Sequence, residues 1–273
     1  MITSKTFFFF FIIILFTSCI GRRAFYVSPF NGLSNPYHTI PLQQDSVQSA
    51  FYANGVLAFG NANSYGGDKT FVANLNLSRS QNFGNFQAFY GIGFSAGSYE
   101  VDTFAMLGNN RTVNPVIINA NAGKKNFNGF GFAGGINYVL PFENGEWRVM
   151  GFETSVYKES GNYLKFRETL PDSAATIIIR NDVFATAGGY SEIIGKTSKF
   201  SYGFKLGIGT ILGGAYRVRS IIDADITRNG KLSYNYANLT LHFSKNKFTG
   251  FTQFNFATKA NSFMIGANYR LGK

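Results

Sequence analysis

Apolar and polar residues alternate through most of the chain after residue 50. Between residues 69 and 79, for example, Phe71, Leu75 and Leu77 alternate with polar residues that include Asn74 and Asn76. A period of two is typical of β-strands with one apolar and one polar face. The pattern predicts about ten strands, at residues 51–60, 69–79, 85–97, 127–140, 146–158, 179–194, 199–212, 232–244, 248–257 and 262–271. Eight or twelve strands remain alternatives, because the alternation is least regular between residues 146 and 194.

The connections between these strands alternate in length, and only the last, near 258–261, breaks the rule by being short. The short ones lie near 80–84, 141–145, 195–198 and 245–247, and the longer ones near 61–68, 98–126, 159–178 and 213–231. Short periplasmic turns and longer external loops are typical of outer-membrane β-barrels. An even number of strands then places both ends of the barrel on the periplasmic side.

Composition favours the same fold class. Aromatic residues make up 17% of the chain, charged residues only 14%, and the mean hydropathy is −0.02. In lipid every backbone polar group must be paired within the protein, and a closed sheet achieves this without edges. We therefore predict an all-β fold, an antiparallel transmembrane β-barrel. The alternative is a soluble sandwich or lipocalin-like barrel, which would not usually place so many Phe and Tyr residues outward.

Two details of the barrel interior can be predicted from the alternation. Glu153 interrupts the regular pattern of its strand, which predicts a β-bulge or a shift that turns this residue toward the lumen. Lys205 lies on the polar face of its strand and, together with Glu153 or Glu192, could form a polar plug inside the barrel. The interior of a small barrel is usually filled by side chains.

The N-terminus has the order of a bacterial lipoprotein signal peptide. Lys5 precedes an apolar run, Phe7 to Phe16, which is followed by two small residues and Cys19, the only cysteine of the chain. The run is too short for a membrane-spanning helix, which needs about 20 residues. We expect cleavage before Cys19 and attachment of lipid, including palmitate, to it; an ordinary secretory peptide is the alternative. The predicted organisation is a signal peptide at 1–18, a lipid-anchored periplasmic lead at 19–50 and a barrel at 51–273.

Several short motifs resemble those of a known group. They are the Tyr-Val-Ser-Pro-Phe-Asn sequence at 26–31, the Asn-Pro at 35–36, the Ile-Pro-Leu at 40–42 and the terminal Gly-Ala-Asn-Tyr-Arg-Leu at 266–271. With the lipobox cysteine, they resemble outer-membrane β-barrel lipoproteins of the Bacteroidota. The resemblance implies an outer-membrane location. Surface-exported lipoproteins of that group carry acidic residues after the cysteine, whereas this chain has Arg22 and Arg23. The resemblance therefore implies an anchor in the periplasmic leaflet.

The same resemblance suggests two modification sites. Ser46, between Asp45 and Val47, and Ser173, between Asp172 and Ala174, are similar to the three-residue O-glycosylation signal of those bacteria. A motif this short also matches by chance, and residues 45–47 could instead be a polar turn before the first strand.

The chain contains few candidates for chemistry, and we predict no catalytic residue, cofactor or metal site. Residues 129–134 match the GxGxxG pattern, but a strand follows them where a dinucleotide site requires a helix. Glycine at inward positions of a narrow barrel is the simpler explanation. His38 and His242 lie near the predicted periplasmic end, away from Asp223 and Asp225 in an outer loop. An acid–base site needs its groups within reach of one another.

The formal net charge is +11, and one outer loop carries a basic cluster. Its members are Arg217, Arg219, Arg228 and Lys231. Basic loops at the outer surface are candidates for contact with lipopolysaccharide phosphates, and ordinary solvation is the alternative. An outer-membrane location offers no nucleic acid as a partner.

These observations favour a non-enzymatic outer-membrane barrel lipoprotein. It would act as a structural or accessory subunit of an assembly or transport complex, with residues 19–50 as a periplasmic docking strip. One alternative is a narrow channel for small solutes. Another is an outer-membrane enzyme that acts on lipid or protein.

Overall fold

The structure of the protein is a computed structural model that describes residues 25–30, 35–43, 47–63, 67–103, 114–175, 177–212, 235–257 and 260–272. The strands are β1 (Phe25–Tyr26), β2 (Ser49–Ala62), β3 (Asp68–Phe83), β4 (Phe86–Val101), β5 (Gly123–Phe142), β6 (Gly145–Gly161), β7 (Ile177–Ile178), β8 (Val183–Lys196), β9 (Ser201–Leu212), β10 (Asn235–Lys245), β11 (Phe248–Ala257) and β12 (Ala260–Leu271). Two short helices accompany them, α1 (Pro115–Ala120) and α2 (Asn162–Thr169). Within the described ranges, neither helix is long and apolar enough to cross a membrane.

Ten of the strands form a closed antiparallel barrel. Strands β2 to β6 and β8 to β12 pair in chain order, and β12 pairs with β2 to close the sheet. Strands β1 and β7 form a separate parallel pair. Each of the ten predicted strands overlaps one strand of the barrel, so the predicted fold class and the count of ten are confirmed.

The exterior of the barrel is apolar along its whole circumference. Residues that alternate along each strand point outward, and Leu75, Met150 and Ile208 are 66%, 73% and 72% exposed. A soluble barrel would pay for such exposure in hydration free energy, whereas a bilayer solvates these side chains. The inward faces carry buried polar residues instead, including Asn54, Asn74 and Thr240. An apolar exterior with a polar interior is the arrangement of a transmembrane β-barrel.

One irregularity in the wall brings charged residues into the lumen. The pairing of β6 with β8 shifts register between Arg148 and Gly151, so the inward face changes parity along β6. Arg148 is fully buried below the shift, and Glu153 follows the new inward face above it. Of the two predicted alternatives, Glu153 shows the lumen-facing shift, and the irregularity in pairing lies before it, between Arg148 and Gly151.

The two ends of the barrel differ. The short-turn end carries the tight hairpins at residues 84–85, 143–144, 197–200 and 246–247, together with the start of β2 and the end of β12. The long-loop end carries the connections that contain α1, α2 and β7. In outer-membrane barrels the short turns face the periplasm and the longer loops face outward.

The lumen contains an extended part of the chain, residues 25–30 and 35–43, which we call the luminal segment. It runs from the long-loop end, where the Phe25 amide donates to Asn63 Oδ1 at 2.6 Å, to the short-turn end, where the Gln43 side chain donates to the Gly84 carbonyl at 2.5 Å. The sequence predicted a periplasmic lead for residues 19–50, whereas the luminal segment lies inside the barrel. Small inward residues leave the space for it: a Cβ at Gly129 would clash with the Phe30 ring.

The apolar exterior generates a first prediction. Leu75→Arg places a charge near the middle of β3 on the outward face, so we expect folding into lipid vesicles to become less favourable by about 2–4 kcal/mol. The matched control is Phe83→Arg, at the end of the same strand, with an expected cost of about 0–1 kcal/mol. Denaturant titration of vesicle-folded protein measures both. Equal costs at the two positions would contradict a placement of β3 that puts Leu75 near the middle of the membrane and Phe83 at its edge.

Candidate functional site in the barrel lumen

The upper third of the luminal segment, residues 25–30, packs in an aromatic core at the long-loop end, which we take as the top of the barrel. Phe25 and Tyr26 pair with Ile177 and Ile178, and the Ile179 amide donates to the Tyr26 carbonyl at 2.9 Å. This pairing covers the polar backbone at the point where the chain enters the lumen.

Phe30 and Tyr26 are fully enclosed by rings from the wall and from α2. Phe30 stacks on Tyr157 with ring centroids 5.3 Å apart, and Tyr26 meets Phe166 edge to face at 5.2 Å. Aromatic pairs at such distances contribute about 0.5–1.5 kcal/mol each beyond the area they bury. The upper core therefore anchors the segment by apolar packing.

Helix α2 covers this core and adds polar contacts to it. Tyr163 donates its hydroxyl hydrogen to the Val27 carbonyl at 3.1 Å, and Arg167 donates to the Ile179 carbonyl at 2.6 Å. Arg167 also forms a buried ion pair with Glu159 of β6 at 2.6 Å. Burial raises the pKa of Tyr163 well above its ordinary value, so its hydroxyl stays protonated as a donor. Helix α2, in the long connection after β6, thus packs over the part of the luminal segment at the long-loop end.

The middle of the luminal segment is fixed through Asn35. Its side-chain amide donates to Thr186 Oγ1 at 3.1 Å, and Gln253 donates to its backbone carbonyl at 2.8 Å. Ser155 donates to the Asn35 side-chain oxygen at 3.3 Å. These three wall residues lie on β8, β11 and β6, so Asn35 links opposite sides of the barrel.

Below Asn35, donors from the wall satisfy the carbonyls of the luminal segment one after another. Gln253 donates to the carbonyl of Asn35, Asn54 and Asn268 donate to that of Tyr37, and Ser80 donates to that of Thr39. Arg148 donates to the carbonyl of Ile40, Gln87 to that of Pro41 and Asn82 to that of Leu42. An extended chain without a strand partner would otherwise leave these groups buried and unpaired, at about 1–3 kcal/mol each. The polar interior of the wall therefore holds a polypeptide.

Arg148 is the hub of the lower third. It is 0% exposed and forms ion pairs with Glu192 at 2.7 Å and Glu146 at 2.9 Å. A further guanidinium hydrogen is donated to the Ile40 carbonyl at 2.9 Å. Glu146 also accepts the backbone hydrogen of Gln43 at 2.8 Å. One buried ion-pair cluster thus contacts the luminal segment at two points.

Tyr37 connects this cluster to His242. The Tyr37 hydroxyl donates to Glu192 Oε1 at 2.8 Å, and the same carboxylate oxygen lies 2.9 Å from His242 Nε2. The Tyr37 ring stacks on the His242 imidazole with centroids 4.6 Å apart. His242 is therefore buried within the packing of the luminal segment.

A second ion pair lies higher in the lumen. Lys205 Nζ is 2.5 Å from Glu153 Oε2, and both side chains are largely buried. The same ammonium lies 4.0 Å from the centre of the Tyr190 ring. This pair was one of the alternatives that the sequence suggested, whereas Glu192, the other suggested partner, instead binds Arg148.

A cavity of about 230 Å³ remains at the short-turn end of the lumen. Its lining includes Tyr37 and His242 from the lumen and Lys199, Lys247 and Arg270 from the short-turn end of the barrel. The cavity therefore extends between the short-turn end and the Tyr37 ring.

Several sequence-predicted sites lie outside the described residues. They are Cys19, Ser46, Arg217, Arg219, Arg228 and Lys231, together with Asp223 and Asp225. Ser173 is described and exposed at the long-loop end, beside an Asp172–Arg180 ion pair of 2.7 Å. Its glycosylation stays a prediction.

Sequence reasoning missed Arg148, Glu146 and Tyr37. A charged pair two residues apart, inside a strand that must have one face in lipid, indicates a lumen-facing ion pair. That signal was available for Arg148 and Glu146. Nothing in the local sequence of Tyr37 indicates that it lies in a barrel, because the segment lacks an alternating pattern.

Within the ranges that the structure describes, no group of three or more His, Cys, Asp or Glu residues could hold a metal ion. Among the described residues, three buried cations pair with four carboxylates inside the barrel. A further buried carboxylate, that of Asp68, accepts hydrogen bonds from Asn63 and Tyr99.

No protein-family profile and no curated protein matches the sequence. Among solved structures, the chain is similar to an outer membrane channel from Pseudomonas putida F1, with 11% identity over 90% of this chain and 100% of that chain and a TM-score of 0.41. It is also similar to the translocator domain of the autotransporter NalP from Neisseria meningitidis, with 11% identity over 84% and 91% and a TM-score of 0.39. The KdgM porin gives 11% identity over 81% and 99% and a TM-score of 0.30. These neighbours are outer-membrane β-barrel proteins.

The ion-pair hub generates a second prediction. Arg148→Met leaves Glu146 and Glu192 buried without their cation, so we expect the free energy of unfolding to fall by about 3–5 kcal/mol. Urea unfolding in detergent, followed by the fluorescence of the single tryptophan Trp147, measures the change.

The matched control is Lys158→Met on the same strand. Lys158 pairs with Asp182 at 3.9 Å, but its side chain is 73% exposed, so the expected change is below about 1 kcal/mol. If Arg148→Met were as mild as this control, the cluster would not hold the luminal segment.

The close approach of Phe30 to β5 generates a third prediction. Gly129→Ala must displace the Phe30 ring, so we expect a loss of about 1–3 kcal/mol of stability. Gly189→Ala is the control, since its new Cβ would lie 3.7 Å from the nearest atom, and we expect a change within about 0.5 kcal/mol. Thermal unfolding in detergent compares the two; equal effects would show that Phe30 does not occupy this space.

Proposed function

We propose that this protein is a non-enzymatic outer-membrane β-barrel that is closed by its own N-terminal segment and serves as a structural or accessory subunit. The observation that supports the closed state is the hydrogen bonding of the luminal segment. Six of its backbone carbonyls between Asn35 and Leu42 accept hydrogen bonds from side chains of the wall. A conducting pore needs a continuous aqueous path, and here the aromatic core and the Arg148 cluster occupy that path.

The placement of the membrane supports the same proposal. The outward faces are apolar, and the two ends differ in loop length as in outer-membrane barrels. In the sequence, the basic residues Arg217, Arg219, Arg228 and Lys231 lie between β9 and β10, outside the described residues. In this proposal they contact lipopolysaccharide phosphates at the external surface.

The histidines support a structural role over a catalytic one. His242 is enclosed by Tyr37 and Glu192, and His38 stacks on Phe89 with ring centroids 4.6 Å apart. A general base must reach the proton that it abstracts from a substrate. The His242 imidazole is instead packed on Tyr37 of the luminal segment, and the His38 imidazole, within that segment, is packed on Phe89 of β4.

A channel for small solutes is the second candidate, and one observation favours it. The cavity at the short-turn end already extends from the rim to Tyr37, so displacement of the segment above it would lengthen an existing opening. In this alternative the luminal segment is a removable plug.

Planar-bilayer recording tests the closed state. We expect the intact protein to be silent, and a variant that lacks residues 25–43 to give discrete conductance, because its lumen is no longer filled. If the deletion variant fails to fold, urea is added to the bilayer chamber at graded concentrations with the intact protein. We then expect conductance to appear as the luminal segment leaves the lumen. Steady conductance from the intact protein without urea would overturn the closed-barrel proposal in favour of the channel.

Purification in mild detergent tests the role as a subunit. We expect a larger outer-membrane protein to co-purify with the barrel at fixed stoichiometry, measured by native mass spectrometry. The Arg148→Met variant has a loosened lumen and an unchanged exterior. A partner that binds the luminal segment should be lost from this variant, whereas a partner that binds the outer wall should be retained. A monomer under every mild condition would overturn the accessory role.

A further inference from the structure

We infer that the cavity at the short-turn end binds a phosphate group, and that the bound group helps to hold the luminal segment inside the barrel. The inference deepens the closed-barrel proposal and rests on it, because residues 37 and 39–42 of the luminal segment form one side of the cavity. Strands β8 to β12 and β2 form the other side. The class of ligand follows from the charge of the lining and from its unpaired polar atoms.

The lining of the cavity is strongly basic. It contains Lys196, Lys199, Lys247 and Arg270, and none of its described residues is Asp or Glu. Lys196 ends β8 and Arg270 lies on β12, so the cations stand at both edges of a wall of five neighbouring strands. A concave site lined by charges of one sign concentrates ions of the opposite sign. The cavity therefore favours an anion.

Three buried side-chain atoms of the lining have no hydrogen-bond partner among the described residues. They are Arg270 Nε, Thr39 Oγ1 and His242 Nδ1. His242 is only 7% exposed, and its Nε2 lies against the Glu192 carboxylate, so Nδ1 is the ring nitrogen left for a ligand. Buried polar atoms in native proteins are nearly always paired. Three unpaired ones around a single cavity indicate a ligand with several polar atoms.

Hydroxyl groups between the two basic edges add further donors. Ser244 Oγ and Thr249 Oγ1 lie 2.8 Å apart, and both residues line the cavity. One hydroxyl hydrogen forms this bond, so the hydrogen of the other hydroxyl is left for a ligand. Ser201, which also lines the cavity, pairs with Ser244 across β9 and β10.

This set of groups fits a phosphate better than a carboxylate. A guanidinium, ammonium groups and hydroxyls can all donate to phosphate oxygens, and arginine and lysine are common phosphate ligands. A singly protonated phosphate also has a hydroxyl that can donate to the neutral imidazole at His242 Nδ1. A carboxylate has two oxygens and a single charge, so it would leave more of these groups unpaired.

A phosphate group in this cavity would connect the luminal segment to the wall. Thr39 belongs to the segment, whereas Arg270 and His242 belong to β12 and β10. Tyr37 of the segment already stacks on His242 with ring centroids 4.6 Å apart. A ligand that binds only when both sides are in place stabilises the closed state by mass action.

Two sources can present the same group at the short-turn end. One is inorganic phosphate or a small phosphate ester in the aqueous phase, and the other is the headgroup of a phospholipid in the adjacent leaflet. Each source has its own arm in the test.

Calorimetric titration of inorganic phosphate tests the soluble source. Intact protein in dodecyl maltoside, at constant ionic strength, should bind one phosphate per barrel, and Arg270→Gln should weaken binding by at least about tenfold. The matched control is Lys245→Gln, which removes the same charge from the exposed outward face at the end of β10 and should change affinity by less than about twofold. If Arg270→Gln fails to fold, Lys199→Gln in the exposed turn should weaken binding by about threefold.

Native mass spectrometry tests the lipid source in the same detergent. If the group comes from a headgroup, added phosphatidylglycerol should remain bound to the intact barrel and to Lys245→Gln, and should be lost from Arg270→Gln. Absence of saturable binding in both arms would overturn the inference. Equal weakening by Arg270→Gln and Lys245→Gln would also overturn it, since the attraction would then be unspecific.

Hydrogen exchange tests the coupling to the luminal segment. With phosphate, or phosphatidylglycerol where that arm binds, at ten times its dissociation constant, peptides that cover residues 35–43 should exchange about elevenfold more slowly. Arg270→Gln should show no such response at the same concentration. Slow exchange that does not respond to bound phosphate or lipid would overturn the coupling and leave the closed-barrel proposal intact. The closed state itself is judged by conductance without either addition, so the two failures are distinct.

Discussion

The backbone carbonyls of the luminal segment impose the constraint on which the rest of the lumen depends. An extended chain inside a barrel has no neighbouring strand, so its polar groups need partners from side chains or water. The wall supplies Asn54, Ser80, Gln87, Arg148 and Gln253 for this purpose. Each donor lies on the inward face of a strand whose outward face is apolar, so the alternation that suits the bilayer also provides the donors.

Space is the second requirement, and glycine meets it. Gly129 leaves room for Phe30, Gly203 for His242 and Gly151 for Tyr190. A ten-stranded barrel with larger inward residues would be filled by its own side chains. Inward glycines thus make room for buried rings, and the rings of Tyr26, Phe30 and Tyr37 pack in one core with apolar residues of the wall.

The wall could be predicted from the sequence because a strand between lipid and lumen shows its two faces at every second residue. Even the irregularity at Glu153 was visible as a break in that period. The position of Tyr37 could not be predicted, because an extended segment without a sheet partner has no period and its contacts are with residues as distant as Asn268. The parity argument that placed Lys205 also applies to Arg148 and to its partner Glu146 on β6. Its other partners, Glu192 of β8 and the Ile40 carbonyl of the luminal segment, are distant in sequence and could not be predicted.

Hydrogen exchange of the luminal segment tests the central claim most directly. In the intact protein, reconstituted into lipid nanodiscs, peptides that cover residues 35–43 should exchange as slowly as those from the barrel strands, because they open only when the lumen opens. The exposed residues around Asp172, in the connection at the long-loop end, provide the fast reference in the same experiment. Exchange of residues 35–43 at the rate of an unstructured peptide would contradict the account, since it would place the segment outside the barrel.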